Sequence, residues 1–266
     1  MIGVFDSGYG GLTILRGLMD RLPQYAYAYL GDNARAPYGP RTQEDIFQCT
    51  REGIDFLFEQ ACSLVILACN TASANALRRI QRDVLPQSWP GRRVLGILVP
   101  TVEQIASGTV VVFATSATVR SRAYTLEIAK RHPSVKVFEQ ACPTLSMLIE
   151  ADAGADQIDL AVADCIRLIS EQMGKSWPPS AVLLGCTHYA LIHDVFVRHL
   201  PHTMKVYDQA AIVAEKLEEY FGRHAAEQGG MTRFFTTGDS SVVSRLGSRF
   251  FGETVAFTHA RLRNKM

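Results

Sequence analysis

The chain has 266 residues, enough to bury one large core or two compact ones, and its 47% apolar and 20% charged content belongs to a folded protein rather than a disordered one. With 27 basic and 26 acidic side chains the net charge is +1, which gives no electrostatic ground for a nucleic-acid or membrane-surface protein. The opening MIGVFDSGYGG has neither the charged region nor the long apolar region of a secretory signal, and no apolar run approaches the roughly 18 residues of a membrane span, so a cytoplasmic location is expected.

Taken in chain order, apolar runs rich in Val, Ile, Leu and Tyr predict strands at 2–5, 27–30, 64–68, 94–98, 110–114, 135–138, 181–184 and 204–207. Amphipathic spacing predicts helices at 42–61, 73–84, 121–131, 157–173 and 211–221. A strand-like TRFFTTG from Thr232 and a helix-like SSVVSRLGSRFFG follow. Strands alternating with helices predict an α/β protein with mainly parallel central sheets.

The halves of the chain repeat one design. LVILACNTASANAL puts Cys69 directly after a buried-strand pattern, and AVLLGCTHYALI does the same with Cys186. The strand IGVF is followed by Asp6 and Ser7; VVVF, at a similar separation, is followed by Thr115, Ser116 and Thr118. Two similar domains are therefore expected, residues 98–207 forming the second and 1–97 with 208–266 the first. Ligands of open α/β sheets bind outside the carboxyl ends of the strands, so both cysteine loops face one shared cleft if those ends are opposed.

Six cysteines without a tight CxxC pair point to free thiols in a reducing compartment. Cys69 is followed by Asn70, Thr71 and Ser73, and Cys186 by Thr187 and His188, all suited to polar ligands. A loop opening a helix also offers free N–H groups to an anion. It is expected to lower a thiol's pKa from about 8.5 toward neutrality. Two such thiols across a cleft can remove a proton from one face of a carbon and supply one to the other, which inverts a stereocentre. Since the reverse reaction exchanges their roles, a near-symmetric pair suits a racemase better than a one-way hydrolase.

The same residues admit other chemistries, each with a feature missing. Cys186 and His188 could serve a hydrolase as nucleophile and base, but Cys69 and its matched loop are then left without a task. Cys69, Cys186 and His188 lack the short-spaced fourth ligand of a zinc site. No lysine falls in the motif loops to form a Schiff base with pyridoxal phosphate. Gly8, Gly10 and Gly11 hint at a phosphate loop without the GxGxxG spacing, and the GKS at 174–176 lacks the first P-loop glycine, so it is expected to be a loop. Asp6 could also simply cap the turn after its strand.

FDSGYGGLT, GDNARAPYG, ACNTASA, ATSATVRSRAY and LGCTHYALI occur in this order along nearly the whole chain. In these motifs the chain resembles the cofactor-independent glutamate racemases of the aspartate/glutamate racemase superfamily. The resemblance implies two flavodoxin-like α/β domains related by a pseudo-twofold axis, interconversion of L- and D-glutamate, and supply of D-glutamate for peptidoglycan. It implies that Cys69 and Cys186 are the acid/base pair, that Asp6 and His188 assist them, and that Glu150 is a further supporting carboxylate. Substrate contacts are implied for Ser7, Pro37, Tyr38, Gly39, Asn70, Thr71, Thr115, Thr118 and Thr187. Neither metal nor cofactor is expected, no nucleic-acid or membrane partner, and a homodimer is left open. The chain departs from the family pattern at Val99, Ser146, Met147 and Ala190, which leaves aspartate or another amino acid of the same superfamily, or a noncatalytic amino-acid sensor, as alternatives.

Overall fold

A computed structural model describes all residues except 106, 208, 225–228 and 263–266. Asp208, where the chain is expected to leave the second domain, and Lys265 lie outside the described residues.

The first sheet is built by β1 (Ile2–Asp6), β2 (Tyr27–Gly31), β3 (Leu64–Leu67) and β4 (Arg93–Gly96), and the second by β5 (Thr109–Ala114), β6 (Lys136–Ala141), β7 (Ala181–Gly185) and β8 (Lys205–Tyr207). Two late strands, β9 (Arg233–Thr236) and β10 (Phe257–His259), return to the first sheet. Its order is β10-β9-β2-β1-β3-β4, and the second runs β6-β5-β7-β8, with every pairing parallel. The run β2-β1-β3-β4 and the run β6-β5-β7-β8 therefore share one topology, with β3 and β7 as counterparts. Each of the two ends at the residue or two before a motif cysteine.

The helices of the first half are α1 (Gly11–Arg21), α2 (Gln43–Glu59), α3 (Asn70–Arg79), α4 (Leu85–Ser88) and α5 (Leu98–Glu103). Then come α6 (Ser116–Ser121), α7 (Ala123–Arg131), α8 (Leu145–Glu150), α9 (Ala155–Met173), α10 (His193–His199), α11 (Gln209–Phe221) and α12 (Ser240–Phe251). Side chains alternate across the first sheet with the period of two that a strand imposes. Ile2, Val4, Tyr27, Tyr29, Leu64 and Ile66 join a core that continues into the second sheet, whereas Phe5, Ala28, Leu30, Val65 and Leu67 pack in a separate cluster with residues of α2 and α3.

Several expected boundaries moved. The helix after Cys69 begins at Asn70 rather than residue 73, because the Cys69 Sγ accepts the Ala72 N–H at 3.4 Å and serves as its cap. That helix ends in a π-helical turn over Ile80–Val84. The expected helix over 121–131 is α7, which starts at Ala123 because Arg122 takes φ 54°; the short α6 precedes it. The strand expected over 94–98 stops at Gly96, and Leu98 opens α5 instead. GKS is a short 3-10 turn.

Candidate active site

The loops at the carboxyl ends of β1, β2, β3, β5, β6 and β7 enclose a cavity with an empty volume of about 380 Å³. Every site residue named from the sequence lines it except Asp6 and Thr118, and Ala36 and Ser146 complete the wall. Cys69 enters from the first sheet and Cys186 from the second, both buried. Thr118 lies behind the lining, where its hydroxyl meets those of Thr115 at 3.0 Å and Thr71 at 3.4 Å, while Thr71 and Thr115 bond each other at 2.8 Å. This threonine cluster ties the start of α3 to the start of α6.

Around Cys186 the polar groups form a chain. The Cys186 Sγ lies 3.6 Å from His188 Nδ1, and His188 Nε2 lies 2.7 Å from Glu150 Oε1. Phe250 of α12 presses against the imidazole, with ring centroids 5.8 Å apart and planes at 81°. Burial alone would lower the His188 pKa, but the hydrogen bonds to Cys186 and Glu150 outweigh it and hold the group well above its ordinary value. The imidazole thus sits in a strongly basic setting beside one thiol.

Around Cys69 the setting differs. Ser7 Oγ lies 3.3 Å from the sulfur, and Asp6 is fully buried, with its Oδ2 accepting the Gly8 N–H at 2.8 Å in the turn the sequence had suggested. Burial pushes the Asp6 carboxyl up from its ordinary value. Burial, with the Asp6 charge adding to it, also pushes the Cys69 thiol up to about 12. The expectation that a helix terminus would lower this pKa is corrected here: one N–H at 3.4 Å does not offset desolvation in a closed pocket.

The profile of the Asp/Glu/hydantoin racemase family matches residues 13–217. The chain belongs to this family. It is 41% identical to the glutamate racemase of Roseobacter denitrificans over 97% of its own length and 99% of the relative's. Its fold superposes on the glutamate racemase isoform RacE1 of Bacillus anthracis with a TM-score of 0.89 at 27% identity, covering 98% of this chain and 97% of that one. The glutamate racemase of Francisella tularensis, solved in complex with D-glutamate, gives a TM-score of 0.85 at 28% identity, with coverage of 98% and 97%.

For a member of the racemase family the glycines after β1 acquire a plain reason. A Cβ at Gly10 would lie 2.3 Å from Thr187 Oγ1 and 2.6 Å from His188 Nδ1, and one at Gly8 would lie 2.8 Å from Glu150 Oε1. They let the loop before α1 approach the Cys186 loop and the end of α8 closely, which the phosphate-loop reading did not supply. Of the four departures from the family pattern, only Ser146 lines the cavity. Ala190 borders a neighbouring cavity behind Cys186, Val99 lies by another, and Met147 is exposed.

Two supporting groups were not legible in the motifs. Tyr38 donates its hydroxyl to Asp32 Oδ2 at 2.5 Å; Asp32 is also held by Arg35 at 2.8 Å and by the Thr237 hydroxyl at 2.7 Å, from the segment that rejoins the first sheet. The Tyr38 hydroxyl is therefore engaged in the wall. Gln209, at the start of α11, bonds Asn70 from behind. Among the described residues no group of three His, Cys, Asp or Glu side chains could hold a metal ion, and no helix is long and apolar enough to cross a membrane.

The raised Cys69 pKa has a consequence for stability. The unfolded thiol ionises near 9.0 and the folded one at about 12, so this contribution is constant below pH 9 and is lost as pH rises through the interval. Urea unfolding at rising alkaline pH should show wild type losing about 1 kcal/mol per pH unit more than Cys69→Ala. Parallel losses in the two proteins would mean that Cys69 is not the group responsible.

Proposed function

We propose that this chain is a glutamate racemase that interconverts L- and D-glutamate by proton transfer between two thiols at the α-carbon, without a cofactor. The observation that carries the reading is one cavity lined by Cys69 from the first sheet and Cys186 from its topological counterpart in the second. One sulfur, as thiolate, takes the α-proton; the carbanion that forms is planar at the α-carbon; the other sulfur, as thiol, delivers a proton to the opposite face. Protonation states are then exchanged, and the enzyme is ready for the product enantiomer. Asp6 and Ser7 serve Cys69, His188 and Glu150 serve Cys186, and the hydroxyls and amide at Asn70, Thr71, Thr115 and Thr187 hold the substrate carboxylates. Pro37, Tyr38 and Gly39 form the wall toward the side chain, and Thr118 acts through Thr71 and Thr115.

Cys186, His188 and Glu150 by themselves also have the order of a nucleophile, base and orienting carboxylate. Cys69, with its own Ser7 and Asp6 on the same cavity, favours the racemase over that hydrolase. In this reading residues 1–97 with 208–266 and residues 98–207 are the two domains, the enzyme works in the cytoplasm, D-glutamate goes to peptidoglycan, and the assembly is a homodimer.

Circular dichroism of the purified protein with L-glutamate, and separately with L-aspartate, tests the reading. The glutamate signal should decay to zero without added cofactor while aspartate stays unchanged. Decay only with aspartate would keep the mechanism and reassign the substrate, through the pocket around Ser146. No decay of either would sink the racemase.

A further inference from the structure

Gln209 is buried at the first position of α11, and its side chain meets Asn70, Tyr124 and Thr101, drawn from both sheets' helices. Asn70 directly follows Cys69 and lines the cavity. The polarity of the cluster can be followed from a backbone carbonyl. Thr101 donates its hydroxyl to the Ile97 carbonyl at 2.8 Å, so its oxygen can only accept, and the Gln209 Nε2 donates to it at 3.2 Å. With its nitrogen end fixed there, Gln209 turns Oε1 toward Asn70, whose Nδ2 donates to it at 2.9 Å. Tyr124 donates to Asn70 Oδ1 at 2.5 Å, and the two N–H groups of Gln209 Nε2 are shared among Thr101, the Tyr124 oxygen at 3.0 Å and Asn70 Oδ1 at 3.2 Å. Asn70 Oδ1 is thereby fully engaged, and Nδ2 has one N–H left for the cavity.

We infer that Gln209 is a positioning residue of the active site: by pairing with the Asn70 amide it fixes that amide with a donor toward the cavity and stops it from rotating. The inference rests on the racemase reading above. A free amide could present either oxygen or nitrogen to a substrate carboxylate, and the oxygen would repel it. Gln209 removes the wrong orientation before substrate arrives, so its loss acts on substrate binding more than on proton transfer.

Racemisation by wild type is measured first; if neither glutamate nor aspartate is turned over, the racemase reading fails and Gln209 is not at issue. With wild type active, Gln209→Met, which keeps the length and removes the amide, should raise KM for both enantiomers about tenfold with a smaller change in kcat. The same substitution in an Asn70→Ala background should change KM no further, because its effect passes through Asn70. Thr101→Val, which removes only the group that sets the polarity, should raise KM about threefold and provides the test if the Met variant does not fold. An unchanged KM in Gln209→Met, or in Thr101→Val where the Met variant does not fold, overturns the inference. An equal increase with and without Asn70 also overturns it.

Discussion

Alanine in place of Cys69 or of Cys186 is expected to abolish interconversion of the enantiomers while leaving part of the chemistry in place. Each sulfur reaches the cavity from its own sheet, so neither can serve both faces of the α-carbon. With one thiol removed, the other can still take a proton from the enantiomer that faces it and return one to the same face. In deuterated water, Cys186→Ala should therefore exchange the α-hydrogen of one enantiomer, visible by NMR, with no decay of its circular dichroism; Cys69→Ala should do so for the other. Serine variants should lose about 10²- to 10⁴-fold, since a hydroxyl in the same pocket is a far weaker acid than the thiol it replaces and general acid/base catalysis contributes on that scale. Full racemisation by either alanine variant would contradict the two-thiol mechanism, and a hydrolase with Cys186 as nucleophile would lose nothing essential on removal of Cys69.

The repeated strand-to-cysteine design was readable because it is local: a buried strand, a thiol and small polar residues are contiguous, and the shared topology of β2-β1-β3-β4 and β6-β5-β7-β8 follows from repeating them. What could not be read locally depends on approach between distant segments. Helix α1 gives no local start signal because Gly8, Gly10 and Gly11 cluster at its beginning, and Gly10 owes its identity to Thr187 and His188 across the cleft. Helix α8, which carries Ser146 and Glu150 to the wall, spans a single short stretch with little periodicity to find. Gln209 looks like any polar residue opening a helix until Asn70 and Tyr124 are folded against it. The Cys69 pKa went the other way from the local rule because desolvation and the Asp6 charge belong to the closed pocket, not to the helix end.

His188→Asn should separate the two half-reactions. The imidazole lies 3.6 Å from Cys186 and is anchored on Glu150; its charge also reaches Asp6, but its hydrogen bonds are made on the Cys186 side alone. Losing His188 removes the basic group beside one thiol only, and a loss of about 10²-fold in turnover is expected. Enantiomers in water have equal free energies, so kcat/KM must fall by the same factor in both directions. The asymmetry has to appear elsewhere: kcat should become unequal for the two enantiomers, and the α-deuterium isotope effect should grow in the direction where Cys186 takes the deuteron. In the opposite direction Cys186 is the donor, and the solvent isotope effect should grow instead. Stopped-flow or progress-curve measurements with both α-deuterated enantiomers read this directly and assign each thiol to its enantiomer. Equal kcat values and isotope effects unchanged in both directions would show that His188 does not act through Cys186, and would leave its bond to Glu150 as a link between α8 and the loop after β7.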